Sequence, residues 1–214
     1  MALGVVTFKL AAKYPKTKGL ALSASFAVLL GLFSLVSIPL PLDLVPITLQ
    51  VLGVFLILSL LGPRYGSLSC LIYLMFGAVG LPVFHGGTSG VSIMLGPTGG
   101  YLVSFPIAAL AGGFISRKVD STRKSDLLRV VASFAVALVI IYSLGDVWLM
   151  EYLHLSPLQA ILSGIVPFIG FDVVKAIVVT PISVRLRASR FDLPVRSVTN
   201  ASSSVKLSSE KELA

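Results

Sequence analysis

The sequence predicts an all-α membrane protein with six transmembrane helices and both termini on the cytoplasmic side. Two observations carry this prediction: the apolar composition and the distribution of the basic residues. Of the 214 residues, 56% are hydrophobic and 12% are charged, and the mean hydropathy is +0.97. Soluble domains are about 45–50% apolar and about 25% charged. The chain is therefore expected to lie in a lipid bilayer.

Six apolar runs are each near the length of about 17–25 residues that a helix needs to cross a membrane. The second and third runs are the shortest. The last run contains Gly164, Pro167 and Gly170, which predict a bend or break in its outer half. The predicted spans are residues 20–38, 46–61, 66–81, 98–116, 127–150 and 157–184.

The basic residues predict the orientation. Sixteen of the seventeen Lys and Arg residues fall in segments that six spans with an internal N-terminus would put in the cytoplasm, and Lys175 is the exception. This asymmetry follows the positive-inside rule. The basic residues of these cytoplasmic segments also explain the net charge of +8, and they would be attracted to anionic lipid on that side of the membrane. We therefore expect a multi-pass plasma membrane protein that binds no nucleic acid.

The chain divides into three predicted parts: a basic cytoplasmic lead (residues 1–18), a six-helix membrane domain (19–186) and a Ser-rich cytoplasmic tail (187–214). The loop of residues 82–97 carries four glycines and would lie outside the membrane. A loop of this length is unusual in a compact bundle and is often a lid. We predict an extracellular lid here.

The first span carries small residues on one face, at Ser23, Ala27 and Gly31. This spacing lets two helix backbones approach closely in lipid. The face is expected either to pack within this chain or to dock onto a separate membrane subunit.

Asp172 and Lys175 are the charges that a membrane helix tolerates least. Lys175 lies ten residues from Arg185, which is about 15 Å at the helical rise and therefore mid-membrane. Inserting each such residue at the centre of a membrane helix costs about 2.5–3.5 kcal/mol of free energy, so it persists where it faces a partner or a water-filled cavity. At a spacing of three, the two share one helix face. They are either a self-neutralising ion pair or part of a binding site.

Other polar side chains are predicted to converge on the outer half of the bundle. Thr48 and Gln50 lie near the outer end of the second span, and Tyr101 lies one turn into the fourth. As an alternative, Gln50 and Tyr101 only bridge neighbouring helices. Asp146 and Trp148, near the outer end of the fifth span, are candidate interface anchors or pocket walls.

The sequence does not favour an enzyme. Residues 87–90 (GTSG) match the GxSG string of rhomboid-type proteases, but the two histidines, His85 and His154, fall in outer loops. There is no Walker A sequence and no Cys/His spacing typical of a metal site. We expect no catalytic residue, no metal and no cofactor.

Four segments of the chain resemble the BioY family of biotin transporters, which are the substrate-binding S components of energy-coupling-factor transporters. The resemblance covers roughly residues 20–186, and its motifs are specific in combination. They are residues 45–50 (VPITLQ), 60–64 (LLGPR), 77–84 (GAVGLPVF) and 95–101 (LGPTGGY).

The resemblance implies a six-helix protein that captures biotin outside the cell. A transmembrane coupling subunit and two ATPase subunits would supply the energy. The D-x-x-K motif of the family falls on Asp172 and Lys175, which could satisfy the N–H groups and carbonyl of the ureido ring of biotin. The lid would bring Gly86, Gly87 and Thr88 near the ligand. The first helix of the family contacts the coupling subunit, which fits the face at Ser23, Ala27 and Gly31.

Some positions depart from the usual family pattern. Val51 follows Gln50 where Thr is frequent, and Asp146 stands where an apolar residue is usual. His85 and Thr88 lie in a lid stretch that varies among members. These departures concern the outer part of the predicted pocket.

Two other functions remain open from the sequence. The first is a stand-alone ion-coupled transporter in which Asp172 carries a proton. The second is an intramembrane serine hydrolase acting through Ser89. Protonophore sensitivity of uptake would indicate the first, and labelling by a fluorophosphonate probe would indicate the second.

Overall fold

The computed structural model describes residues 15–39, 45–116 and 124–188. Residues 1–14 of the predicted lead and 189–214 of the predicted tail lie outside the described residues. The described parts are almost entirely helical. The helices are α1 (Pro15–Leu35), α2 (Gln50–Ala78), α3 (Val91–Met94), α4 (Gly99–Ser116), α5 (Lys124–Leu153), α6 (Pro157–Gly164) and α7 (Val166–Ala188). Two short strands, β1 (Ser37–Ile38) and β2 (Ile47–Thr48), pair antiparallel between α1 and α2.

Helix α2 folds back on itself at Gly62, where the backbone leaves the helical region (φ 72°, ψ −169°). The Gln50 side chain donates to the Tyr73 hydroxyl at 2.5 Å. A straight helix would separate two residues 23 positions apart by about 34 Å. Residues 50–61 and 63–78 are therefore two antiparallel arms. Gly62 adopts a conformation essentially restricted to glycine. Pro63 suits the first turn of the second arm, because proline lacks an N–H group and an N–H at this position would have no partner within the helix.

Within the described ranges, five helices are long and apolar enough to cross a membrane: α1, α2, α4, α5 and α7. The sequence prediction of six spans counted the arms of α2 separately, as residues 46–61 and 66–81. The predicted break in the last span is confirmed. A short α6 ends at Gly164 and α7 starts at Val166, with Ile165 between them. Ser156 caps α6 through a capping box with Gln159.

The core is built around α4, which packs mainly against α2 and α5, while α1 packs against α2. Phe55 of α2 stacks on Phe134 of α5 with ring centroids 4.4 Å apart. In α4, Gly112 lies against the Ser133 carbonyl, and Gly113 lies against the backbone of the turn at Gly62. Small residues allow this close approach in the absence of a hydrophobic driving force between helices.

A basic side chain connects the C-terminal end of α7 to the core. Arg187 donates to the carbonyl of Ser116 at 2.6 Å and also to the carbonyl of Ser59. These carbonyls lie at the ends of α4 and of the first arm of α2, where helical carbonyls lack intrahelical partners.

The loop of residues 82–97 forms a single 3-10 turn, His85–Gly87, followed by α3. Phe84 is its anchor, because the side chain is fully buried and meets the Tyr73 ring edge-on at 5.5 Å. The Ser34 hydroxyl of α1 donates to the carbonyl of Val83 at 2.5 Å and lies 3.2 Å from the carbonyl of Phe84. The start of the loop is therefore held firmly against the C-terminal ends of α1 and α2.

Candidate functional site

Asp172 and Lys175 form a buried ion pair on α7. The Nζ of Lys175 lies 2.6 Å from Oδ1 of Asp172, and the exposed fractions of the two residues are 7% and 2%. The spacing of three residues puts both side chains on one face of the helix, as the sequence predicted. The pair faces the protein interior, so neither charge meets lipid.

Each member of the pair has a second partner on another element. Lys175 Nζ donates to the backbone carbonyl of Thr48 at 2.7 Å, and the Tyr142 hydroxyl donates to Oδ2 of Asp172 at 2.7 Å. A buried ion pair is tolerated when such hydrogen bonds satisfy its remaining atoms. The pair thereby connects α7 to β2 and α5. Tyr142 was missed in the sequence, and the signal for it was a phenol inside an apolar helix, which needs a partner.

Thr48 and Gln50 form a second polar chain beside the pair. The Thr48 hydroxyl donates to the Gln50 side-chain carbonyl at 2.8 Å, and the Gln50 amide donates to Tyr73. Gln50 therefore bridges the two arms of α2, as the bridging alternative expects. Gln50 also lines the cavity described next, so it both bridges the two arms and contributes to the cavity wall.

The pair opens onto a small cavity that is partly open at one side. Small-molecule sites typically combine apolar walls with a few polar groups. Apolar side chains such as Phe105, Ile141 and Phe168 form most of the wall. The polar lining residues are Thr48, Gln50, His85, Thr98, Tyr101, Tyr142, Asp172 and Lys175. Five of these eight were predicted to converge, and the structure brings those five together.

The lid residues Gly86, Gly87 and Thr88 do not line this cavity, whereas His85 does. Gly86 and Gly87 have positive φ values of 62° and 81°, which shape the 3-10 turn. The Thr88 hydroxyl donates to the His85 carbonyl at 2.9 Å. The three residues thus position His85 at the cavity, and their contact with a ligand stays a prediction. Burial lowers the pKa of His85, so its imidazole is neutral near pH 7.

Tyr101 combines a cavity wall with a hydrogen bond to a neighbouring helix. Its ring lines the cavity, and its hydroxyl donates to Oδ1 of Asp146 at 2.6 Å and contacts the Gly164 carbonyl at 3.2 Å. The GPTGGY segment places the start of α4 close to α5. Gly100 packs against the Trp148 side chain and the Leu144 carbonyl, where any side chain would collide.

The small-residue face of α1 packs within the chain. Ser23 is fully buried and donates to the carbonyl of Tyr65 at 3.0 Å. Ala27 is also fully buried, and Gly31 packs against Val83. The chain itself covers the three residues, as the first of the two alternatives for this face expects. Contact of α1 with a partner stays a prediction, and it would use the exposed side of the helix.

A match to a known protein family shows which family this chain belongs to. The sequence model of the BioY family matches residues 7–191. The chain belongs to the BioY family. Among its relatives, the biotin transporter BioY of Thermotoga maritima is 41% identical over 150 residues, which is 70% of this chain and 85% of the relative. The probable biotin transporter BioY of Pyrococcus horikoshii is 38% identical over 174 residues, covering 81% and 99% of the two chains.

A solved structure supports the same BioY assignment. It is the S-component for biotin from an ECF-type ABC transporter, which matches with a TM-score of 0.71 at 32% identity. The match covers 80% of this chain and 92% of that one. At the positions where this BioY chain departs from the usual pattern, Val51 and His85 line the cavity, whereas Asp146 reaches it only through Tyr101.

Proposed function

We propose that this chain is the biotin-binding S component of an energy-coupling-factor transporter, which captures biotin outside the cell for uptake across the plasma membrane. The observation that carries the proposal is the buried Asp172–Lys175 pair, which opens onto the cavity in a member of the BioY family. The matched relatives are named as biotin transporters, and the matched structure as an S-component for biotin.

The pair retains hydrogen-bonding capacity for a ligand. An ammonium group has three donors, and Lys175 uses two of them, on Asp172 and Thr48. A carboxylate has about four acceptor sites, and Asp172 uses one for Lys175 and one for Tyr142. The remaining donor suits the ureido carbonyl of biotin, and the remaining acceptor sites suit its N–H groups. The apolar walls suit the thiophane ring and the valerate chain.

The proposed topology has six spans, with both termini cytoplasmic. It is supported by the fold-back of α2 at Gly62 and by the sixteen basic residues assigned to one side. The arms of α2, residues 50–61 and 63–78, are about 18 and 24 Å long at the helical rise. Flanking residues and local thinning of the bilayer would make up the difference from about 30 Å of hydrocarbon.

The energy would come from partner subunits. The chain has no ATPase motif, so we propose that a transmembrane coupling subunit and two ATPase subunits complete the transporter. The name of the matched structure, from an ECF-type ABC transporter, supports this arrangement. In this role the chain is not an enzyme and needs no cofactor.

The ion-coupled alternative receives less support from the site. A proton carrier must release and bind its proton, yet both carboxylate oxygens of Asp172 already have partners, Lys175 at 2.6 Å and the Tyr142 hydroxyl at 2.7 Å. Uptake that persists without any ATPase but stops with a protonophore would reverse this judgement.

The binding site is tested by calorimetric titration of the purified protein with biotin. We expect Asp172→Ala and Lys175→Ala each to weaken binding at least about tenfold, because each leaves a buried polar group or charge unpaired. The double variant Asp172→Asn with Lys175→Met removes both charges without leaving one unpaired, and we expect it to lose affinity as well. Glu151→Gln changes an exposed charge and is the matched control.

Two outcomes would reject parts of this proposal. If the parent protein does not bind biotin, the proposed function is wrong. If the parent binds and the folded double variant binds equally well, biotin binds elsewhere and the assignment of the pair is wrong.

A further inference from the structure

Asp146 is a buried acidic residue that does not line the cavity, and neither the family match nor the proposed function gives it a role. It lies on α5 one turn from Tyr142, and its exposed fraction is 7%. Its Oδ1 accepts the hydrogen bond from the Tyr101 hydroxyl at 2.6 Å. Asp146 is therefore one residue removed from the cavity, with Tyr101 between them.

The ring of Tyr101 is held on two sides. Its face packs against Gly145, where any side chain would collide with the ring. Its hydroxyl is fixed by Asp146 and by the carbonyl of Gly164, the last residue of α6. A side chain at position 164 would collide with both the Tyr101 hydroxyl and Oδ1 of Asp146. The arrangement fixes the ring relative to α5 and to the junction of α6 and α7.

The carboxyl group of Asp146 is poorly explained by stability. Its second oxygen, Oδ2, is buried and has no hydrogen-bond partner within the described parts of the chain. A buried polar atom without a partner destabilises a protein, whereas an apolar residue of similar shape would avoid this cost. The benefit of an aspartate at this position must then lie in what Oδ1 does for Tyr101.

We propose that Asp146 is a positioning residue for ligand binding. By accepting the hydrogen bond from Tyr101, it holds the Tyr101 ring as a fixed wall of the cavity and so raises the affinity for biotin without touching it. This inference rests on the proposed function, since biotin is the ligand whose affinity it concerns. Fixing a wall before binding reduces the ordering that binding would otherwise require.

The test is a double-mutant cycle on biotin affinity, measured by calorimetry alongside the apparent melting temperature. We expect Asp146→Leu and Tyr101→Phe each to weaken binding about tenfold. Because both act through one hydrogen bond, Tyr101→Phe in the Asp146→Leu background should change affinity less than about twofold. Asp146→Asn keeps a carbonyl acceptor and should stay within about threefold of the parent.

A purely structural role would move the melting temperature and leave the affinity of the folded protein unchanged. The proposal is overturned if Asp146→Leu binds biotin as tightly as the parent, or if the two single losses multiply in the double variant. Should Asp146→Leu fail to fold, Gly164→Ala disturbs the same hydrogen bonds, and unchanged affinity in that variant and in Tyr101→Phe would equally overturn it. Failure of the parent to bind biotin would instead reject the proposed function.

Discussion

Asp172 accepts one hydrogen bond on each carboxylate oxygen, from Lys175 on its own helix and from Tyr142 on α5. At the scale of single residues, this arrangement explains how two formal charges persist in a membrane helix. Each charged atom has a partner, so the cost of desolvation is offset within the protein. The same partners fix the direction in which the carboxylate faces the cavity.

Tyr142 is the residue whose role can be tested most directly. Replacing it by Phe removes the donor to Oδ2 of Asp172 while keeping the aromatic ring in the cavity wall. Hydrogen bonds to charged groups contribute about 1.5–3 kcal/mol, and each 1.4 kcal/mol is about tenfold in affinity, so we expect biotin affinity to fall at least about tenfold. Calorimetry of Tyr142→Phe measures this loss.

Tyr152→Phe is the matched control, because Tyr152 lies on the same helix and is 48% exposed. It should bind biotin like the parent. Equal affinity in Tyr142→Phe and the parent would show that Asp172 does not depend on this donor.

At the scale of elements, the turn at Gly62 is the feature on which the site depends. It folds α2 back so that Gln50 meets Tyr73, next to Thr48, whose carbonyl accepts a hydrogen bond from Lys175 in the middle of α7. The sequence predicted two spans here, residues 46–61 and 66–81, with Arg64 in the segment between them. It did not show that the interruption is a single non-helical residue, since the close approach of Gly113 to the turn is a contact between distant segments.

Gly62→Ala is expected to destabilise the protein by about 1–3 kcal/mol, because an L-residue at this φ and ψ is strained. Thermal unfolding in detergent should show a lower apparent melting temperature. Gly170→Ala is the control: it lies inside α7, and an added Cβ there meets no other atom within 4 Å. That variant should be as stable as the parent or more so, since Ala favours helix over Gly. A melting temperature of Gly62→Ala equal to the parent's would contradict the strained turn.

At the scale of the whole molecule, the topology depends on whether the arms of α2 cross the membrane. Because the arms are antiparallel, the two ends of α2 lie on one side, and the turn at Gly62 lies on the other side only if each arm crosses. With the N-terminus in the cytoplasm, six spans put this turn in the cytoplasm and the end of α5 outside the cell. The position of Arg64, which is next to the turn, therefore distinguishes two crossings by α2 from none.

We expect Glu151→Cys, made in a Cys70→Ser background, to react with a membrane-impermeant maleimide in intact cells. Lys18→Cys and Arg64→Cys should react only after the membrane is permeabilised. Cys70 is buried and is the only native cysteine, so its replacement leaves a clean background. Labelling of Arg64→Cys in intact cells, or of Glu151→Cys only after permeabilisation, would rule out the six-span topology.

The sequence by itself determined that the chain belongs in a membrane, that it resembles BioY proteins, and that Asp172 and Lys175 are the residues to examine. These conclusions follow from composition, short motifs and the cost of burying charge, all of which are readable locally. Only the tertiary structure decided the partners: Thr48 is 127 positions from Lys175, Tyr142 is 30 from Asp172, and Asp146 is 45 from Tyr101. Such hydrogen bonds depend on how helices pack, and no spacing along one helix specifies them.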